Sequence, residues 1–193
     1  MHHPPDLLTT ERLSMRRWRV ADAAPLEPVL RANVGRLEAW IPRDVAAPAP
    51  AAELEARLAR YAADFDAGRT WTYALYTPDE GELLGGAGLY PRDAGGRVPF
   101  SAADRLEIGY WLRADATGRG YATEAARALL AAAFALPRIT RVEIRCDPRN
   151  APSAAVPRRL GFHLADTLTE TDPEHDGASR QTQVWAYEAG TTS

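Results

Sequence analysis

The chain is 193 residues long, 46% hydrophobic and 25% charged, with a formal net charge of −3. That length and balance suit one globular domain and exclude a disordered chain or a broad cationic face for nucleic acid. All 23 basic residues are Arg and none is Lys, while Cys146 is the single Cys. The missing Lys removes Walker A loops, Lys-dependent kinases and Schiff-base chemistry. The lone Cys removes an internal disulfide, a Cys-rich zinc site and a CxxC redox pair. No apolar run reaches the ~18 residues of a membrane span. Met1 to Asp6 has neither the cationic segment nor the apolar core of a secretory signal. A reducing, cytoplasmic setting without a membrane partner is the expectation.

Alternation at Leu13, Met15 and Arg17 predicts a first strand, and Asp22 stands where a helix N-cap belongs. Pro25 and Pro28 restrict themselves to the first turns of that helix. Ala46 to Ala52 reads as an Ala/Pro-rich connector. Leu54, Leu58, Tyr61 and Phe65 then share one helical face, with Gly68 at the C-cap. Strands over 71–76 and 82–90 flank Thr77-Pro78-Asp79-Glu80-Gly81, which is hairpin chemistry. Residues 93–104 form a polar loop. A fourth strand, about Leu106 to Leu112, leads into an Ala-rich helix over 122–136. A fifth, Arg141 to Cys146, precedes a short helix near 153–160. Strand candidates around Phe162 to Leu168 and Thr182 to Tyr187 follow, separated by an acidic loop. Strands interleaved with helices indicate a mixed α/β sheet in one domain, its ordered core running from about 7 to 188.

The most informative segment is Leu106-Glu107-Ile108-Gly109-Tyr110-Trp111-Leu112 followed by Thr117-Gly118-Arg119-Gly120-Tyr121-Ala122-Thr123-Glu124. It is a buried strand, a short loop and two glycines directly at a helix start. Glycines there let backbone amides approach an anion, and the helix dipole adds partial positive charge. A pyrophosphate is the obvious ligand; a tight turn with no ligand is the alternative. Thr123 stands where a dinucleotide fingerprint needs its third Gly, which disfavours that site.

Here the chain resembles the GCN5-related N-acetyltransferases, which bind acetyl-CoA through an Arg/Gln-x-x-Gly-x-Gly/Ala loop. Thr117 to Ala122 match it at Gly120 and Ala122, while Thr117 replaces the Arg or Gln. Tyr121-Ala122-Thr123-Glu124-Ala125 is similar to the helix opening of the branch with the RimJ/RimL-type protein N-terminal acetyltransferases. Thr10-Glu11-Arg12-Leu13, Leu37-Glu38-Ala39-Trp40-Ile41-Pro42 and Asn150-Ala151-Pro152-Ser153 running to Leu160-Gly161-Phe162 echo the same branch.

The resemblance implies a single-domain fold with a strongly bent mixed sheet, flanked by helices and splayed between the fourth and fifth strands. Backbone groups of Ile108, Tyr110, Trp111 and Leu112 would pair with the pantetheine arm of acetyl-CoA like an added strand. Amides from Gly118, Arg119, Gly120, Tyr121 and Ala122 would hold the pyrophosphate, with Thr117 in the same cofactor loop and Arg119 as a cationic helper. Asn150 would meet a pantetheine amide, or serve only as a helix-entry residue.

Acyl transfer to an amine needs a neutral amine, a donor to the oxyanion and a proton for the departing thiolate. Glu107 is the leading base; the alternative is an ion pair with an Arg such as Arg105 or Arg141. Ser153 is the leading partner of the CoA sulfur, or else a residue that caps its helix. Trp40 and Trp111, with Glu107, would line the acceptor pocket, although Trp is more often core. Glu143 reads as solvated or ion-paired, His175 as an exposed loop residue or second base, and Cys146 as a small buried residue. Gly85-Gly86-Ala87-Gly88 reads as a strand segment that permits close backbone approach.

The acceptor implied is a protein or peptide N-terminal amine. A small amine, such as an antibiotic or amino-acid derivative, is the alternative, which the acidic loop around Asp172, Glu174 and Asp176 would suit. A CoA-binding sensor without turnover is the remaining class. No metal and no nucleic acid are expected, and a homodimer is the default assembly.

Overall fold

The computed structural model describes residues 3–171 and 179–190. Chain order begins with strands β1 (Leu7–Thr9) and β2 (Ser14–Arg17), then helices α1 (Ala23–Leu37), α2 (Arg43–Ala46) and α3 (Ala51–Asp66). Strands β3 (Trp71–Tyr76), β4 (Leu83–Arg92) and β5 (Arg105–Leu112) lead to helix α4 (Tyr121–Phe134). Strand β6 (Arg141–Cys146), helix α5 (Ala151–Arg159) and strands β7 (His163–Thr171) and β8 (Ser179–Glu188) complete the set. The acidic loop around His175 lies outside the described residues.

The eight strands form one sheet in the order β1-β2-β3-β4-β5-β6-β8-β7. Every neighbouring pair is antiparallel except β5 and β6. That parallel pair follows from the α4 crossover between its strands. The fourth and fifth strands read from the sequence are these two. They pair from Arg105↔Arg141 to Ile108↔Ile144 and then separate. Beyond that point Gly109 to Leu112 keep their partners on β4 alone, Gly88 to Gly85. A notch therefore opens in the middle of the sheet.

Two apolar layers cover the sheet. One face carries Trp71, Tyr73, Leu75, Leu89, Leu106 and Ile108 against α4 residues such as Leu129 and α5 residues such as Val156. The other carries Trp18, Ala74, Tyr76 and Leu83 against Leu26 and Leu30 of α1 and Leu54 and Leu58 of α3. The period-two pattern of β3 serves both layers, so all six of its residues are buried. Helix α3 ends as its sequence suggests: Gly68 adopts φ +65° just past it, and the Arg69 amide donates to Asp64 O at 2.9 Å.

Asp22 departs from expectation in its bonding. It stands at the N-cap of α1, but its carboxylate caps no α1 amide. It accepts two 2.8 Å bonds from Arg16, one from the Arg19 amide at 2.8 Å and one from Tyr76 Oη at 2.9 Å. Burial works against this charge, and the Arg16, Arg19 and Tyr76 hydrogen bonds overcome it, so the carboxyl titrates below its ordinary range. Helix α2 interrupts the 46–52 connector at its start, and α3 begins within it at Ala51. Among the described residues no helix is long and apolar enough to cross a membrane.

Candidate active site

The β5–β6 notch opens into a cavity of about 1260 Å³. Trp40, Glu107, Ile108, Tyr110, Trp111, Leu112, Thr117, Gly118, Gly120, Tyr121, Ala122, Asn150 and Ser153 all line it. Residues from Thr10 to Arg159 thus meet around one space. Arg119 is absent from that lining and its side chain is exposed. Arg119 stands between the two left-handed glycines, Gly118 and Gly120.

At one end of the cavity, Gly118 (φ +75°) and Gly120 (φ +86°) bring the chain into the first turn of α4. Both conformations strain any residue with a Cβ, which accounts for glycine at these positions. Among the described residues no backbone carbonyl accepts from the amides of Gly118, Arg119 or Gly120. Together with the first free amides of α4, they form an anion site of the helix N-terminal kind. The Thr117 hydroxyl instead donates to Ala114 O at 2.6 Å, so it is spent on its own turn. The donor set suits a pyrophosphate. Among the described residues no cluster of His, Cys, Asp and Glu could hold a metal ion.

The middle of the cavity is bounded by β5. Its backbone beyond Ile108 lacks a strand partner on the β6 side. At Leu112, though, Arg36 of α1 donates to the carbonyl, so that acceptor is already engaged. Asn150 spends its side-chain carbonyl on the Ser153 amide at 3.2 Å, capping α5. The helix-entry reading is therefore realised, and its amide donors remain for the cavity. Ser153 Oγ lies 3.2 Å from Tyr110 Oη, and the Tyr110 hydroxyl also reaches Ser153 O at 3.1 Å. Burial pushes the Tyr110 phenol well above its ordinary value, so it stays a neutral hydrogen-bonding group. Burial likewise raises Cys146, at the end of β6, which suits a small buried residue rather than a nucleophile.

Glu107 occupies the far side. Its Oε2 accepts from Arg92 Nη1 at 2.7 Å, and Oε1 lies 3.6 Å from Arg97 Nη2. The ion pair foreseen with Arg105 or Arg141 does not form. Those two side chains, with Arg145, surround Glu143 instead, at 3.3, 2.8 and 3.0 Å. Glu143 is 1% exposed and so ion-paired rather than solvated. Burial opposes its charge, but Arg145 and Arg141 lower its pKa. Beside Glu107, the Tyr90 ring lies on Gly88 and Gly109, whose added Cβ atoms would stand 3.1 and 3.0 Å from it. Arg97 covers the ring at 4.1 Å. Trp111 rests on Gly86 in the same way. The glycine cluster read from the sequence is thus the floor on which two aromatic walls lie.

A family described as an acetyltransferase (GNAT) domain matches residues 12–163. The chain belongs to the GNAT acetyltransferase family. Among its relatives, a putative ribosomal N-acetyltransferase of Bacillus subtilis, YdaF, is 36% identical over 83 residues, covering 43% of this chain and 42% of that one. The chain spans about half the length of the curated relatives it matches. Mycobacterium smegmatis RimJ, solved with CoA-disulfide, superposes with a TM-score of 0.80 at 26% identity, covering 97% of this chain and 90% of that one. RimL, described as a ribosomal L7/L12 alpha-N-protein acetyltransferase and solved with coenzyme A, gives 0.77 at 19%, covering 97% and 98%. The GNAT fold read from the sequence is present: an eight-stranded mixed sheet flanked by helices.

Sequence reasoning missed Arg12, Tyr90, Arg92 and Arg97. Arg92 and Arg97 lie in or near a loop whose path no periodicity reveals. Tyr90 carried a signal: it is two residues past Gly88 and therefore on the same strand face.

Proposed function

We propose that this GNAT chain is an acetyl-CoA-dependent N-acetyltransferase whose acceptor is a protein or peptide N-terminal amine. The observation that carries the reading is the continuity of one cavity. It runs from unbonded amides at the α4 N-terminus, past the unpaired edge of β5, to the Glu107 carboxylate. The name of RimL, an alpha-N-protein acetyltransferase, supports the α-amine acceptor, and that of the Bacillus relative supports N-acetyl transfer.

Acetyl-CoA supplies an acyl carbon activated as a thioester. In the transfer a C–N bond forms as the C–S bond breaks, and the acceptor nitrogen loses a proton while the thiolate gains one. Glu107 Oε1, the oxygen Arg92 leaves open, accepts the nitrogen's proton. Ser153 Oγ, which lies 3.2 Å from Tyr110 Oη, would be the group to hydrogen-bond the departing sulfur. Tyr90, Trp111 and Trp40 supply aromatic lining for the acceptor side.

The test is to incubate the pure protein with acetyl-CoA and panels of free and N-terminally blocked peptides, aminoglycosides and small amines, following thiol release. Release with free N-termini only is the expected result. Turnover confined to aminoglycosides or small amines would move the acceptor class. CoA binding without turnover on any panel would favour a sensor, and absence of CoA binding would overturn the whole reading.

A further inference from the structure

We propose that Arg12 is a positioning residue for the phosphate-binding loop, aiming the Gly120 amide into the cavity through the Arg119 carbonyl. The inference rests on the acetyl-CoA reading above and concerns a residue 112 positions before Glu124, with which it pairs.

Arg12 sits between β1 and β2, yet its side chain contacts Arg119, Tyr121 and Glu124. Nε donates to Glu124 Oε2 at 2.8 Å, Nη2 reaches the same oxygen at 2.6 Å, and Nη1 donates to Arg119 O at 2.9 Å. Its guanidinium also lies 5.0 Å from the centre of the Tyr121 ring. The other Glu124 oxygen takes the Arg12 amide at 2.9 Å and the Thr10 hydroxyl at 2.6 Å. The carboxylate is thus fixed by two donors on each oxygen. Burial opposes its charge; the Thr10 and Arg12 bonds prevail and hold its pKa down.

The consequence lies in the peptide between Arg119 and Gly120. In a planar trans peptide, C=O and N–H point in opposite directions. With its carbonyl drawn to Arg12, the Gly120 N–H is turned the other way. No described backbone carbonyl takes that amide. A glycine at φ +86° has no steric preference of its own for this orientation, so an external restraint sets it. Within 117–122 the only cationic side chain is that of Arg119, which faces away, so Arg12 is also the cation at the loop that lines the cavity.

The test compares wild type with Arg12→Met and Arg12→Lys, measuring CoA affinity calorimetrically, apo melting temperature and the backbone amide signal of Gly120. Arg12→Met should bind CoA about 10–100-fold more weakly, the effect of losing one charge-assisted restraint. Its Gly120 amide signal should move, and Arg12→Lys should recover part of both changes. Pantetheine, which lacks the pyrophosphate, should lose no more than about twofold in competition.

Wild-type affinity in Arg12→Met, or an equal loss for pantetheine, overturns the role of Arg12. Failure of wild type itself to bind CoA would instead overturn the cofactor reading. Should Arg12→Met not fold, Glu124→Gln loosens the same guanidinium and must weaken CoA in the same direction.

Discussion

Arg92 Nη1 stands 2.7 Å from Glu107 Oε2, and the two side chains are only 13% and 14% exposed. They are diagonal neighbours on adjacent strands, since Glu107 pairs directly with Tyr90, two residues before Arg92. A partly enclosed carboxylate needs such a partner. Its second oxygen, Oε1, has only the longer 3.6 Å approach of Arg97 Nη2, whose side chain is half exposed. Glu107→Gln keeps the shape and removes the proton acceptor. The rate at saturating acceptor should fall by about 10²–10⁴-fold. A rate within about threefold of wild type would mean that Glu107 is a structural ion-pair member.

Ser153 offers a cleaner separation of packing from chemistry. Tyr110 keeps its bond to the Ser153 carbonyl when the side chain is shortened, so Ser153→Ala should fold normally. If Oγ hydrogen-bonds the departing sulfur, turnover should drop about tenfold or more at unchanged melting temperature. Unchanged turnover would leave Ser153 with no part in the transfer.

Which features were legible in the sequence follows from how local their causes are. Strands β3, β5 and β6 lie within a residue of their expected limits because each carries an uninterrupted apolar pattern between turn signals. The glycine loop at α4 was readable for the same reason, since its chemistry is all within six residues. Strand β1 was not: its three residues show no apolar alternation and pair only with β2. The choice among Arg partners for Glu107 was equally hidden. Arg105 and Arg141 are nearby in pairing register, but Glu143 on the neighbouring strand captures both. The Arg12–Glu124 contact joins distant parts of the chain, and neither residue alone is unusual.

Two glycines test whether the sheet floor or the loop is more sensitive to a methyl group. A Cβ on Gly85 would lie 2.1 Å from Trp111 O, a backbone atom that cannot retreat without parting β4 from β5. Gly118 has open space around its absent Cβ, and only its φ of +75° opposes substitution. Gly85→Ala should therefore cost about 3 kcal/mol or more in thermal or denaturant unfolding, and Gly118→Ala about 1 kcal/mol. Equal losses would show that β4 and β5 are not so tightly joined at this point.

Acid stability should carry the signature of Asp147, at the end of β6 on the cavity wall. Arg149, at 2.6 Å, is the main cause that lowers its carboxyl from 3.8 to about 2, with Arg180 at 3.3 Å adding to it. The folded value lies below the unfolded one, so its stabilisation is complete above about pH 4. It is lost as the pH falls through the folded value near 2, and both states are protonated only below that. Its size is about 2 kcal/mol at most. Asp147→Asn should lower the melting temperature at pH 6, and the gap from wild type should narrow steadily between pH 4 and 2. A gap independent of pH would point to lost packing.

The lysine-free composition makes a separate prediction once acetyl-CoA is the proposed donor. Uncatalysed acetylation of proteins by a thioester needs a neutral amine, and all 23 basic side chains here are Arg, whose guanidinium stays protonated. The one amine on the chain is its N-terminus. Prolonged incubation with acetyl-CoA should add at most one acetyl group to the intact mass, removable by trimming the first residues. Several adducts would require acylation of hydroxyls or of Cys146, a residue whose burial raises its pKa and suppresses the reactive thiolate.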